Sequence, residues 1–219
     1  MFLGLGEATH GRGEHAPLSE QLIHVHAPMG RSCDAAVVRF TCTVLEPPTD
    51  LWIHPDVRVA ASPIAGQGLF VKTPAPAGTV VLRFGGRLVR AAELRLLLDR
   101  AQADAAYVDT IAVDDDTHLV LPAGTIAHYG NHSCDPTTWL DPPFELVARR
   151  DLTATTELTI DYGVVSDDPA FHMQCRCGAS GCRQVVTGSD WRQPDLRTSH
   201  CGHWPRSLRR RIEGDRASE

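Results

Sequence analysis

Three cysteines fall within eight residues, Cys175-Arg176-Cys177-Gly178-Ala179-Ser180-Gly181-Cys182, and a fourth stands well upstream in Asn131-His132-Ser133-Cys134-Asp135-Pro136. A Cys-x-Cys-x4-Cys run is tight enough for one loop to wrap a cation, with Gly178 and Gly181 supplying backbone freedom. Cys134, Cys175, Cys177 and Cys182 then make four thiolates, the number that closes a tetrahedral zinc site at roughly 2.3 Å per bond. Isolated cysteines are commonly buried free thiols, but three so close together read as ligands. Four protein ligands leave no position for a reacting water, so the metal is expected to be structural. No His/Glu set has the spacing of an open metal centre, which argues against a zinc hydrolase. His24-x-His26 with Cys33 and Cys42, and His200 with Cys201-Gly202-His203, are too loosely spaced for a second site and read as solvated or locally packed.

Between the two halves of the cysteine set lies Glu157-Leu158-Thr159-Ile160-Asp161-Tyr162-Gly163, and upstream lies Gly66-Gln67-Gly68-Leu69-Phe70. Taken singly these are weak: Asn-His in a turn usually means local hydrogen bonding, and Gly-x-Gly here is not the Gly-x-Gly-x-x-Gly of a dinucleotide fold. In this order, over residues 55–187, they resemble the SET-domain protein lysine methyltransferases with a post-SET zinc motif. The resemblance implies a mostly β, α+β SET-domain fold: small curved β-sheets around a threaded C-terminal segment, with a zinc knot that closes a wall of the active site. It implies S-adenosyl-L-methionine as methyl donor, held by Gly66, Gln67, Gly68, Leu69, Asn131, His132 and Tyr162. Tyr162 is carried over as the catalytic residue, with Phe84, Tyr129 and Ile160 lining a substrate channel; Trp139 and Tyr107 are further candidates for its wall. The chain departs from the family pattern at Phe84-Gly85-Gly86, where Tyr-x-Gly is common. It departs again at His128-Tyr129-Gly130, usually Arg-Phe-Ile, and at Thr137, usually Asn.

The implied chemistry is demanding. A lysine of ordinary pKa near 10.4 has only about one neutral amine in 2,500 at pH 7. An apolar channel beside a sulfonium lowers that pKa by desolvation and like-charge repulsion, and a narrow tunnel aligns nitrogen, methyl carbon and sulfur. The rival class is a catalytically inactive, zinc-stabilised peptide-binding module; the missing hydroxyl at Phe84 favours it, and intact Asn131, His132 and Tyr162 favour the enzyme.

The formal charge of −6 disfavours broad nucleic-acid binding and suits a basic protein tail as partner. No apolar run has the length of a membrane span, and the first residues lack the charged start of a signal peptide. Seven cysteines, an odd number with clustered spacing, suit metal ligation in a reducing compartment better than a disulfide framework. A cytoplasmic location follows, or a nuclear one if the cell has a nucleus.

Residues 1–50 carry scattered His and Gly, one strand-like run over 35–45, and a Pro-Pro end, and read as a poorly ordered extension. The SET domain is expected over 51–165, the post-SET motif over 171–187 and a C-terminal extension over 188–219. Strands are expected at 68–72, 79–84, 107–113, 118–121, 144–149 and 158–160. A helix is expected over 91–100, with Leu94, Leu97 and Leu98 on one face, and another over 205–212.

Overall fold

The computed structural model describes residues 46–104, 106 and 108–216. Along the chain come β1 (Trp52–Ile53), β2 (Val57–Ala61), β3 (Gln67–Val71), β4 (Val80–Arg83), β5 (Arg87–Arg90) and α1 (Ala91–Ala103). They are followed by β6 (Thr110–Asp114), β7 (Thr117–Val120), β8 (Asn131–His132), β9 (Thr138–Asp141), β10 (Glu145–Ala148) and β11 (Glu157–Ile160). The chain closes with β12 (His172–Gln174), β13 (Val185–Thr187), α2 (Pro194–Ser199) and α3 (Arg206–Arg216). Single 3-10 turns occupy Ile126–Tyr129, Tyr162–Val164 and Asp190–Arg192.

Short strands bounded by Pro and Gly turns give several small sheets. One has the order β1-β4-β10-β9, another β2-β3-β11-β8, a third β5-β7-β6, and β12 pairs with β13. Among the described residues all strand pairings are antiparallel except one: β11 runs parallel to β8, setting Thr159 opposite Asn131 and Ile160 opposite His132. This pairing brings the Asn-His segment beside the chain leading to Tyr162. Strand β11 is buried from Leu158 to Ile160, as expected of a strand covered on both faces. The main core joins Leu69, Val81, Phe84, Leu119, Leu140 and Leu158 from the three larger sheets.

Helix α1 follows β5 directly and has no side-chain cap of its own. Asp116, in the turn between β6 and β7, supplies one: its carboxylate accepts from the Ala91 N–H at 3.2 Å. Leu94 is buried and Leu97 half-buried, but Leu98 is 42% exposed. The apolar face expected from spacing is therefore narrower, because α1 packs chiefly on β5 and β7. The segment before β1 also packs on the domain, with the Pro48 carbonyl accepting from Gly86 N–H at 2.9 Å. The strand-like run at 35–45 and Tyr107 lie outside the described residues.

Beyond β13 the chain builds a second, smaller core from Trp191, Leu196, Trp204, Leu208 and Ile212 against Val164. Val164 belongs to the turn that follows Tyr162, so this C-terminal segment supports the back of that turn.

Candidate functional site

The loop between β2 and β3 is closed by a Ser62 N–H to Gly66 carbonyl bond of 2.9 Å. Its shape is then fixed from the other side of the sheet. The Asn131 amide nitrogen donates to the carbonyls of Ala65 (3.2 Å) and Gln67 (2.9 Å) and to the Glu157 carboxylate (2.8 Å). Glu157 also accepts from the Ser62 hydroxyl at 2.8 Å. Gly68 lies under this network: a Cβ there would sit 2.8 Å from Glu157 Cδ and 3.2 Å from Asn131 Nδ2. A side chain at Gly68 would therefore have to displace the Glu157 carboxylate. Asn131, Gly66, Gln67 and Gly68 form one assembly, with Glu157 as a member that motif reading did not single out. Leu69 turns inward to the core, 3% exposed.

His132 is buried, and both of its ring nitrogens are engaged. Nδ1 accepts from the Tyr162 backbone N–H at 3.1 Å, and Nε2 lies 3.3 Å from Cys134 Sγ. Burial, only partly offset by Asp161, pulls its pKa down to about 4, so the ring is neutral. A neutral imidazole has one donor and one acceptor. With Nδ1 accepting, the proton belongs on Nε2 and points at sulfur.

Tyr162 is buried, and its hydroxyl donates to the Gly130 carbonyl at 2.6 Å. Burial first, and then the carboxylate of buried Asp109, push its pKa well above the usual phenol value. The phenol keeps its proton at any working pH. That proton is directed at the Gly130 carbonyl. The turn after it is pinned by Gly163 N–H to Asp161 (2.9 Å), Val164 N–H to the Asp161 carbonyl (3.2 Å) and Val165 N–H to the Tyr162 carbonyl (3.3 Å).

Phe84 and Ile160 meet on an apolar cavity of about 30 Å³, roughly one water in size, together with Gly130, Leu146 and Thr159. Tyr129 does not line it; its ring lies against His128, with centroids 5.1 Å apart. Trp139 is also elsewhere. It stacks on His203 with a 3.8 Å centroid separation and has the Arg149 guanidinium 5.6 Å from its centroid. The His203 Nδ1–H donates to the Leu140 carbonyl at 2.8 Å, so this tryptophan is a docking point for the C-terminal segment.

The four cysteines converge. Cys134 and Cys175 sulfurs are 3.7 Å apart, close to the roughly 3.8 Å edge of a tetrahedron with 2.3 Å metal–sulfur bonds. Ligand atoms of His132, Cys134, Cys175 and Cys177 all lie within 4.8 Å of one another. Cys182 is within side-chain hydrogen-bonding reach of Cys175 and Cys177. Each sulfur also accepts a backbone N–H: Cys134 from Arg183 (3.4 Å), Cys175 from Cys177 (3.5 Å), Cys177 from Cys134 (3.5 Å) and Cys182 from Gln184 (3.5 Å). Such donors favour thiolates. Burial pushes Cys134 up to about 11 and Cys175 higher still. At Cys177 burial acts the same way but is outweighed by N–H donors from Cys134 and Ala179, bringing it down to about 6. Four sulfurs so close together could hold a cation as thiolates, and the donor set suits zinc. His132 is geometrically near enough to be a ligand, but its Nε2 proton makes it a donor to Cys134 instead.

His24, His26, Cys33 and Cys42 lie outside the described residues. Cys201, read from the sequence as solvated or locally packed, is instead disulfide-bonded.

Motif reading missed one charged group altogether. Arg183 forms a bidentate pair with Asp161, at 2.7 and 2.5 Å, and places its Nε 3.0 Å from Asp190. The signal was its position directly after Cys182.

The SET-domain family model matches residues 66–163. The chain is 35% identical over 156 residues to the histone-lysine N-methyltransferase ATX2 of Arabidopsis thaliana, covering 64% of this chain and 14% of that protein. It is 32% identical over 139 residues to the histone H3-lysine(4) N-trimethyltransferase ATX1 of the same plant, covering 59% of this chain and 13% of that one. The chain thus spans only about a seventh of the length of these relatives. A solved structure of KRYPTONITE in complex with mCHG DNA and SAH aligns with a TM-score of 0.46 at 23% identity, covering 59% of this chain and 28% of that one. With Asn131, His132 and Tyr162 all inside the matched span, residues 66–163 of this chain are a SET domain.

Proposed function

We propose that the chain transfers a methyl group from S-adenosyl-L-methionine to the side-chain amine of a protein lysine. The observation that carries this reading is the position of Tyr162: a buried, permanently protonated phenol whose hydrogen is directed at Gly130. In the proposed reaction its oxygen would face an incoming amine or the positive methyl of a sulfonium. Such a group orients and stabilises charge without acting as a base.

The donor would be held by the loop of Gly66, Gln67 and Gly68, whose shape Asn131 and Glu157 set. The Asn131 amide hydrogens are committed to that loop, so its own contact with the donor would come through Oδ1. The His132 ring faces Tyr162 N–H and Cys134, so His132 would meet the donor through its backbone. The sulfonium supplies the electrophilic methyl; the chain excludes water and sets the angle of approach. Apolar walls at Phe84 and Ile160 favour the neutral amine by desolvation.

Zinc would be held by Cys134, Cys175, Cys177 and Cys182 and would tie the C-terminal segment to the turn before β9. The substrate is a protein with a basic tail, histone-like by analogy with what the relatives are named for, and consistent with the chain's net negative charge. Among the described residues no helix is long and apolar enough to cross a membrane, and a cytoplasmic or nuclear setting fits such a substrate.

The decisive experiment incubates purified full chain with methyl-labelled donor and core histones, then with cell extract. Label on lysine is expected; no label on either, with donor binding absent by calorimetry, would overturn the proposal. Metal analysis should give about one zinc per chain, lost in Cys177→Ser.

A further inference from the structure

Arg183 joins two parts of the molecule that the transfer reading treats separately. Its backbone N–H points at the Cys134 sulfur, while its guanidinium holds both carboxylate oxygens of Asp161. Asp161 is completely buried, and the arginine side chain is only 13% exposed. Asp190, 5% exposed and at the start of a C-terminal 3-10 turn, closes the group from the third side with an ion-pair contact of 3.0 Å. Gly163 makes the approach possible, since a Cβ there would lie 2.8 Å from Asp190 Cβ and 3.1 Å from Arg183 Nη2.

Asp161 is also what shapes the turn after β11. Its side chain receives Gly163 N–H and its carbonyl receives Val164 N–H. A buried carboxylate stays in place only while paired, because an uncompensated buried charge is strongly unfavourable. The pairing guanidinium hangs from the residue directly after Cys182. Its reach into the core depends on the loop of residues 175–182 being folded against Cys134. His132 makes a second, shorter link, from Cys134 Sγ through its ring to Tyr162 N–H.

We propose that Arg183 is a positioning residue of the transfer site, which clamps the turn carrying Tyr162 only when the cysteine cluster has closed beneath it. The order of the cysteine loop thereby sets the order of the reacting tyrosine. The proposal rests on the methyl-transfer reading for its kinetic consequence alone; the structural coupling stands independently of it.

The test is amide hydrogen exchange by mass spectrometry on the zinc-loaded full chain, following the peptide that contains residues 162–165. All four of its amides are hydrogen-bonded as described. In Arg183→Met, zinc content should stay near one per chain while exchange of this peptide accelerates about tenfold or more, the scale of one lost charge-assisted hydrogen bond. Turnover should fall by about 10- to 100-fold with donor affinity changed by less than about threefold. Arg183→Lys, which keeps one charged donor, should recover a substantial part of both. Native exchange and turnover in Arg183→Met would overturn the proposal, as would acceleration spread evenly over every peptide. Should Arg183→Met fail to fold, Asp161→Asn combined with Arg183→Met removes both charges. Fast exchange confined to residues 162–165 then supports the clamp, and native turnover overturns it. Metal-free Cys177→Ser should show the same local acceleration, and native protection there would overturn the coupling. If the wild type transfers nothing, the functional reading fails while the exchange measurements still decide the clamp.

Discussion

Replacing Tyr162 with phenylalanine removes one oxygen and should have two separable effects. The first is on stability. The Gly130 carbonyl accepts from Tyr162 at 2.6 Å within a buried region, and losing that donor should cost about 1–2 kcal/mol. In a chain of this size that corresponds to a melting point lower by about 2–8 °C. The ring itself still fits beside His132, whose centroid is 5.3 Å away, so no cavity adds to the cost. The second effect is on chemistry. One preorganised polar group lost from a reacting centre slows the step by about 10²- to 10³-fold.

These effects are distinguished by assay. Single-turnover transfer from labelled donor reports the chemical step, calorimetry reports donor affinity, and a thermal melt reports folding. Donor affinity should change little, since the donor loop is held by Asn131 and Glu157. The reasoning is refuted if Tyr162→Phe turns over at the wild-type rate. It is also refuted if the rate falls only in proportion to lost donor binding, which would make the hydroxyl a binding group.

Three further outcomes follow from neighbouring geometry. Gly68→Ala should push the Glu157 carboxylate out of its bonds with Ser62 and Asn131, destabilise the chain by about 1–3 kcal/mol and weaken donor binding measurably by calorimetry; unchanged affinity would refute the role of that loop. Ile160 leaves an apolar cavity beside the site, so products should proceed past monomethyl-lysine. Ile160→Tyr, which overfills it at a cost of about 1–3 kcal/mol, should shift the mass spectrum toward the mono form, and an exclusively monomethyl wild-type product would refute this. Burial lowers the pKa of His200, so its contribution to stability is complete above about pH 6.5 and is lost as pH falls toward the depressed folded value. Melts of His200→Leu should therefore depend less on acid between pH 7 and pH 5, by at most about 1.4 kcal/mol per pH unit for one proton; parallel profiles would refute it.

The parts of this site legible in the sequence are those that depend on residue type within a short window. Cysteine spacing announced a cluster, and Gly-x-Gly, Asn-His and the segment ending in Tyr162 were recognisable in their order. The parts that were not legible depend on pairing across distance. Strand β8 has two residues and no periodicity to read, yet its parallel register with β11 places His132 against Ile160 and its ring within reach of Tyr162 N–H. The same register sends that ring toward sulfur, a direction that the dipeptide Asn-His does not encode. Trp139 was equally opaque: a tryptophan next to a polar turn suits a channel wall, and only the arrival of His203 from the far end of the chain makes it a docking face.

Charge shows why composition could bound the function but not locate it. Helix α3 carries Arg206, Arg209, Arg210 and Arg211. In the fold, Arg210 pairs with Asp114 and Asp115, Arg211 with Asp115 and Asp167, and Arg206 approaches Asp114. These are the acids of the turn between β6 and β7 and of the segment after Tyr162. Asp116 in the same turn caps α1. A run of three acids and a run of arginines are thus largely complementary to one another. Each exposed pair is individually worth little, but their shared geometry fixes α3 across the sheet of β5, β6 and β7. Its buried face, Leu208 and Ile212, is then held on Val164 behind the Tyr162 turn. Surface charge here serves the site by orienting an apolar contact.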